Sequence, residues 1–220
     1  MQQTFSQYPA MNHIGPEQLI IPILSDLYSW VRSQIQRMRK PGMYEVLDYQ
    51  STLEILDPRG MVAKFNKTEK VRFLQDNVIA IQDLLWGIKK NIYAYKCAPG
   101  VPVDFYATDH KTSVVISLRK IYSSKDELDL NMQWYLKGEP IGKAGSWGTH
   151  INRYTHKITL NVVFPAGRPP IRVWICEGNK KKSIELGKES ISQLPDKQWQ
   201  ISWEKKNPRL YETYTLKWDW

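Results

Sequence analysis

The chain has 220 residues, 42% of them hydrophobic, with twelve Tyr, nine Trp and a formal net charge of +9. That length holds one sizeable core, or a core with a small appendage, and so much aromatic surface excludes a chain that stays unfolded. Cys97 and Cys176 are the only cysteines, too few for a disulfide framework and without zinc-site spacing, so both read as reduced thiols and the expected compartment is the cytoplasm.

The positive charge attracts polyanions such as nucleic acid, anionic lipid or an acidic protein surface. Its carriers are scattered, however, with Arg119-Lys120, Lys180-Lys181-Lys182 and Lys205-Lys206 in separate parts of the chain. Residues 1–12 lack a basic start followed by an apolar run, so no secretory leader is expected. The most apolar stretch, residues 19–31, is interrupted by Pro22, Ser25, Asp26 and Ser29, so no transmembrane span is expected.

Residues 1–15 read as a flexible arm. Residues 16–40 read as an amphipathic helix: Ile20, Leu24, Leu27, Val31, Ile35 and Met38 recur at spacings of three and four, and Pro41-Gly42 ends the pattern. Trp30 widens the apolar face beyond what one packed surface needs, which suits docking to a partner protein. Arg32, Arg37, Arg39 and Lys40 crowd the end of the helix, where positive charge complements its carbonyl end and also permits peripheral contact with an anionic membrane.

After Met43 the period changes to two and strand-like runs alternate with turn signals. Residues 45–56 and 62–74 flank Asp57-Pro58-Arg59-Gly60, which suits a type I turn and hence a hairpin. Residues 78–86, 92–97 and 112–121 add three strands, and residues 98–111 read as a loop. Further on, Leu128, Leu130, Met132, Trp134 and Leu136 alternate with polar neighbours. The same holds for Ile158, Leu160, Val162 and Phe164; for Ile171, Val173 and Ile175; for Trp199, Ile201 and Trp203; and for Tyr214, Leu216 and Trp218. The expected fold is mainly β, an antiparallel β-sandwich or partly open barrel over residues 43–220 preceded by one amphipathic α-helix, either a single domain or two halves divided near residues 138–146.

Motifs of catalysis are sparse. Gly138, Gly142 and Lys143 imitate a phosphate loop, but the spacing is one residue short and Ala144 replaces the hydroxyl. Asp196, Glu204 and Lys206 follow the order of a metal-dependent nuclease signature, and their alternative is a turn entering a strand with a charged outer face. His150, His156 and Cys176 would make an incomplete metal set, and Asp104, Asp109 and His110 an acid beside an imidazole. The reading is therefore no enzyme, no metal and no cofactor.

The strings Tyr44-Glu-Val-Leu-Asp-Tyr-Gln-Ser-Thr-Leu-Glu54, Val71-Arg-Phe-Leu-Gln-Asp-Asn-Val78 and Pro208-Arg-Leu-Tyr-Glu-Thr-Tyr-Thr-Leu-Lys-Trp-Asp-Trp220 resemble β-rich accessory domains of bacterial anti-phage and conflict systems. The resemblance implies a non-catalytic subunit that regulates, senses or is acted on by an effector enzyme, and it assigns no site residue. The leading expectation is a protein-binding regulatory subunit that contacts its partner through Ile20, Leu24, Leu27, Trp30, Val31, Ile35 and Met38. The alternative is a basic, sequence-tolerant nucleic-acid-binding domain using Arg32, Arg37, Arg39, Lys40, Lys180, Lys181 and Lys182, and the second alternative a metal-dependent nuclease.

Overall fold

An apolar side chain at every second position gives a strand one greasy face, and that face must be buried against another layer. The computed structural model describes residues 42–86, 91–108, 111–138, 142–178 and 182–220; the arm and helix expected over residues 1–40 lie outside them. The described strands are β1 (Tyr44–Ile55), β2 (Val62–Phe73), β3 (Val78–Trp86), β4 (Ile92–Ala98), β5 (Val101–Thr108), β6 (Lys111–Tyr122), β7 (Glu127–Lys137), β8 (Ala144–His150), β9 (Lys157–Phe164), β10 (Arg172–Glu177), β11 (Lys182–Glu185), β12 (Ile191–Gln193), β13 (Trp199–Lys206) and β14 (Thr213–Asp219).

They form three sheets and no closed barrel. The largest has the order β12-β13-β9-β1-β2-β7-β4, the second β11-β10-β14-β8, and the third β3-β6-β5. Pairing is antiparallel except between the central strands β1 and β9, which run parallel with Tyr49 opposite Ile158. The seven-stranded sheet takes strands from both sides of residues 138–146, so a cut at that point would pass through it.

The hairpin between β1 and β2 forms as its turn residues predict. Gly60 N–H donates to the Asp57 carbonyl at 2.9 Å, Gly60 adopts φ +69°, and the Asp57 carboxylate accepts from Arg59 N–H and Val62 N–H at 2.9 and 2.8 Å. Such self-contained hydrogen bonding holds the register without tertiary help.

The inner face of the seven-stranded sheet carries Leu53, Ile55, Phe65, Val71, Leu130, Met132, Trp134, Ile158, Leu160, Val162, Phe164 and Ile201, all buried. Two smaller sheets cover it. The four-stranded sheet packs Trp147 on Phe65 (ring centroids 4.5 Å apart), Trp218 on Phe164 (5.4 Å) and Tyr214 on Trp203 (5.5 Å). The three-stranded sheet packs Tyr122 on Phe73 (4.7 Å) and Phe105 on Tyr95 (5.6 Å). Each such ring pair adds about 0.5–1.5 kcal/mol beyond the area it buries.

Two expectations change, for residues 98–111 and for Ile171. Residues 98–111 are not a loop throughout, because β5 occupies Val101–Thr108; β5 is an edge strand with a register shift between Pro102 and Asp104, where proline is tolerated. The glycine-rich stretch around residue 145 is β8, and its glycines answer to packing: a Cβ on Gly145 would lie 2.4 Å from the Trp218 ring, and one on Gly148 2.5 Å from the Tyr214 carbonyl. Ile171, placed by alternation with Val173 and Ile175, precedes β10 and is exposed. Gly145→Ala therefore forces Trp218 out of place, and urea denaturation should show a loss of about 1–3 kcal/mol with the β circular dichroism signal retained.

Candidate functional site

Along β2 the inward positions read Phe65, Lys67, Glu69 and Val71, and along β3 they read Ile81, Asp83 and Leu85. Three charged residues thus occupy positions that the alternation reserves for apolar ones. Lys67 and Asp83 are 7% and 4% exposed, so taking either out of water alone would cost several kcal/mol. They answer each other: Lys67 Nζ donates to Asp83 Oδ1, and Glu69 Oε1 lies 3.3 Å from the same ammonium. Tyr95 on β4 donates its hydroxyl to Asp83 Oδ2 at 2.9 Å. The ammonium also lies 5.9 Å from the centroid of the Tyr49 ring, whose hydroxyl accepts from Thr149 on β8 at 3.1 Å. All three sheets are tied together at this one place.

Burial by itself would depress the Lys67 pKa, but the carboxylates of Asp83 and Glu69 outweigh it and hold the ammonium well above its usual range. Burial, then the nearby Asp83 carboxylate, pushes the Tyr95 phenol strongly upward. Tyr44 rises through burial and the charge of Glu69, and Tyr49 through burial, opposed by Lys67. Burial first and the Lys111 charge second lower the pKa of His150, so its imidazole is neutral at pH 7. At physiological pH the triad is an ammonium between two carboxylates, ringed by neutral phenols.

A cavity of about 60 Å³ opens beside the triad, walled by β1, β2, β3, β7, β8 and residues 151–153. That volume holds a few waters or one small polar group. Its floor is aromatic: Phe65 sits between Trp134 at 4.0 Å and Trp147 at 4.5 Å. The indole Nε1 atoms of Trp134 and Trp147 are both buried without a hydrogen-bond partner. At the rim, Arg153 lays its guanidinium 4.3 Å from the centroid of the Tyr44 ring, and His150 Nδ1 lies 3.0 Å from the Thr213 hydroxyl.

The residues singled out from the sequence lie elsewhere. Ile20, Leu24, Leu27, Trp30, Val31, Ile35 and Met38, together with Arg32, Arg37, Arg39, Lys40, Lys180 and Lys181, fall outside the described residues; Lys182 opens β11 opposite Glu177. Asp196 stands in the turn before β13 and Glu204 near its far end, where Glu204 Oε2 lies 3.8 Å from Lys157 Nζ. Five residue steps along the strand lead from Trp199 to Glu204, a run of about 17 Å. Asp104 accepts from the N–H of Phe105 at 2.8 Å, and Asp109 and His110 lie outside the described residues. Among those residues no three His, Cys, Asp or Glu side chains converge on a common point. Lys67, Glu69, Asp83 and Trp147 went unnoticed in the sequence, although a charge at an inward strand position was a usable signal.

No protein-family model matches this sequence, and no curated protein is significantly similar to it. Solved structures are similar in fold. Aminopeptidase A of Legionella pneumophila, solved with aspartic acid, matches over 82% of this chain and 22% of its own at 9% identity and TM-score 0.52. An M1 zinc metallopeptidase of Deinococcus radiodurans matches over 80% of this chain and 42% of its own at 11% identity and TM-score 0.46. This chain thus aligns with less than half of either protein, and the Legionella likeness shows a shared β fold.

The triad sets a stability test. A lysine or tyrosine whose pKa is raised by folding stabilises the fold fully below its unfolded pKa and loses that contribution as pH climbs toward the folded value. Lys67, Tyr44, Tyr49 and Tyr95 all act in this direction, so the urea midpoint should fall once pH passes about 10, and less steeply in Lys67→Met. At neutral pH, Asp83→Asn should cost about 3–5 kcal/mol, because Lys67 and Tyr95 lose the charge they answer to.

Proposed function

We propose that this chain is a non-catalytic protein-binding module whose docking surface is the outer face of the three-stranded sheet. The observation that carries the reading is the contrast between two outer faces. Across the seven-stranded sheet one outward row reads Ser202, Asn161, Thr52, Asn66, Gln133 and Lys96, and the next Glu204, Thr159, Gln50, Thr68 and Asn131; both rows are polar, with Asn161 itself buried. The three-stranded sheet instead exposes Ile79 (61%), Ile121 (62%) and Val103 (56%), with Val101 and Tyr106 beside them. Asp104, already bonded to its own backbone neighbour, is the one charge near its middle. Exposed apolar side chains carried by one small sheet favour it as an interaction surface.

β5 adds a second attraction. It pairs with β6 on one side, and its other edge has no partner among the described strands, so main-chain groups there can accept an extended segment. Arg119 and Lys120 stand exposed next to Ile121, which favours a partner surface that is apolar with an acidic border. In the setting that the sequence resemblance implies, the partner would be an effector enzyme of a bacterial defence system.

A photoreactive residue placed at Ile121 or Val103 should cross-link a protein in the native host, whereas one at Gln50 on the polar face should not. Ile121→Asp should weaken that association at least about tenfold. Deleting residues 1–40 separates the two candidate surfaces: association that survives the deletion but not Ile121→Asp belongs to the sheet. Equal cross-linking from Gln50, or none from Ile121 and Val103, rejects the proposal.

A further inference from the structure

Lys67, Asp83 and Glu69 bring one amine and two carboxyl groups together where little water reaches. Lys67 Nζ donates to Asp83 Oδ1, so the nitrogen stands against the very carboxyl group whose carbon an amine attacks. Glu69 Oε1 lies 3.3 Å from the same nitrogen, close enough to take a proton from it. Tyr95 donates to the other oxygen, Asp83 Oδ2, at 2.9 Å. The surroundings are apolar, with Phe65, Ile81, Met132 and Trp134 lining the same space. The ion pair of Lys205 with Glu177 differs, because its lysine side chain is 31% exposed against 8% for Lys67 and water can solvate the ammonium. At Lys67 the ionic form prevails, yet burial penalises each of its three charges. A proton shift from Nζ to a carboxylate leaves one charge in place of three, and no ion has to leave the site.

We propose that this triad is the precursor of an intramolecular isopeptide bond, in which Lys67 Nζ is joined to Asp83 Cγ, one water is released and Glu69 carries the proton. Glu69 takes a proton from Nζ, and the freed amine attacks Cγ. Charge then gathers on Oδ2 of the tetrahedral intermediate, where the Tyr95 hydroxyl already donates. Glu69 passes its proton to Oδ1, a second N–H proton follows, the Cγ–Oδ1 bond breaks and Oδ1 departs as water. The balance closes: an ammonium and a carboxylate yield an amide and water, Glu69 ends ionised as it began, and nothing is oxidised or reduced. The cavity of about 60 Å³ beside the triad has room for the departing water. Reactants held in place in this way reach effective concentrations of about 10⁵ M or more, so a single slow turnover needs no external catalyst. The amide is satisfied at both ends, its N–H donating to Glu69 and its oxygen accepting from Tyr95. The bond ties β2 of the seven-stranded sheet to β3 of the three-stranded one, and it does not rest on the docking surface proposed above.

The mass of the denatured full chain reads the bond directly. It should be lighter by one water than the sequence requires. Trypsin should release peptide 65–70, uncut at Lys67, joined to the peptide that holds Asp83. Glu69→Gln keeps a hydrogen-bonding group but loses the proton carrier, and should slow coupling at least about a hundredfold, so that chain isolated soon after synthesis has its full mass. Tyr95→Phe removes the donor to Oδ2 and should slow coupling at least about tenfold. Lys67→Met and Asp83→Ala should keep their full mass however long they stand. Circular dichroism checks that each variant retains its β structure. The stability tests set for the triad above apply to uncoupled chain, which its mass identifies. Full mass in the unaltered chain means an ion pair only and overturns the proposal. So does a water loss confined to the peptide of Asp83, the mark of a cyclic imide. A link between Lys205 and Glu177 in place of this one, or undiminished coupling in Glu69→Gln, overturns it equally.

Discussion

The structure depends on one constraint: the seven-stranded sheet has a single apolar face, too wide for either smaller sheet to cover alone. The four-stranded sheet takes the part carrying Phe65, Phe164 and Trp203, and the three-stranded sheet takes the part near Phe73 and Tyr95. Two covers on one face leave a seam between them. Backbone cannot fill a seam, so long side chains do, and the polar ends of those side chains then have to find partners away from water.

Lys67, Glu69 and Asp83 are the solution found here. An ion pair at such depth contributes little net stability compared with a well-packed apolar set, but it is selective about geometry, since a slip of β3 against β2 would strand charge in the interior. The same place gathers Tyr95 from β4 and, through Tyr49, Thr149 from β8. A second tie runs from Lys205 on β13 to Glu177 on β10, joining the four-stranded sheet to the large one at a distance from the seam. Between them these contacts hold the order of the layers.

The surfaces left over divide the labour. Two rows of amide and hydroxyl side chains lie on the outer face of the large sheet, whereas the small sheet exposes Ile79, Ile121 and Val103. Many surface cations are neutralised locally, with Arg72 and Lys70 on Glu127, Lys157 on Asp48 and Arg172 on Asp219. Such exposed pairs each contribute about 0–1 kcal/mol. The face proposed above for docking is apolar rather than cationic at Ile79, Ile121 and Val103.

Read alone, the sequence determined the local part of this architecture. Period-two alternation in β7, β9, β13 and β14 and the Asp57–Gly60 turn depend on neighbours a few residues apart, so strand positions, inward faces and the first hairpin were legible. β5 and β8 were not, because the fitness of Pro102 in a strand depends on its lying at an edge, and that of Gly145 and Gly148 on Trp218 and Tyr214 crossing beneath them. The candidate site was hidden for the same reason. Lys67 and Asp83 stand sixteen residues apart on strands of different sheets, and charges at inward positions look like errors of pattern until the packing of three sheets makes them partners. Which face ended up uncovered was likewise decided by the tertiary structure, since burial belongs to the assembled layers and not to any one strand.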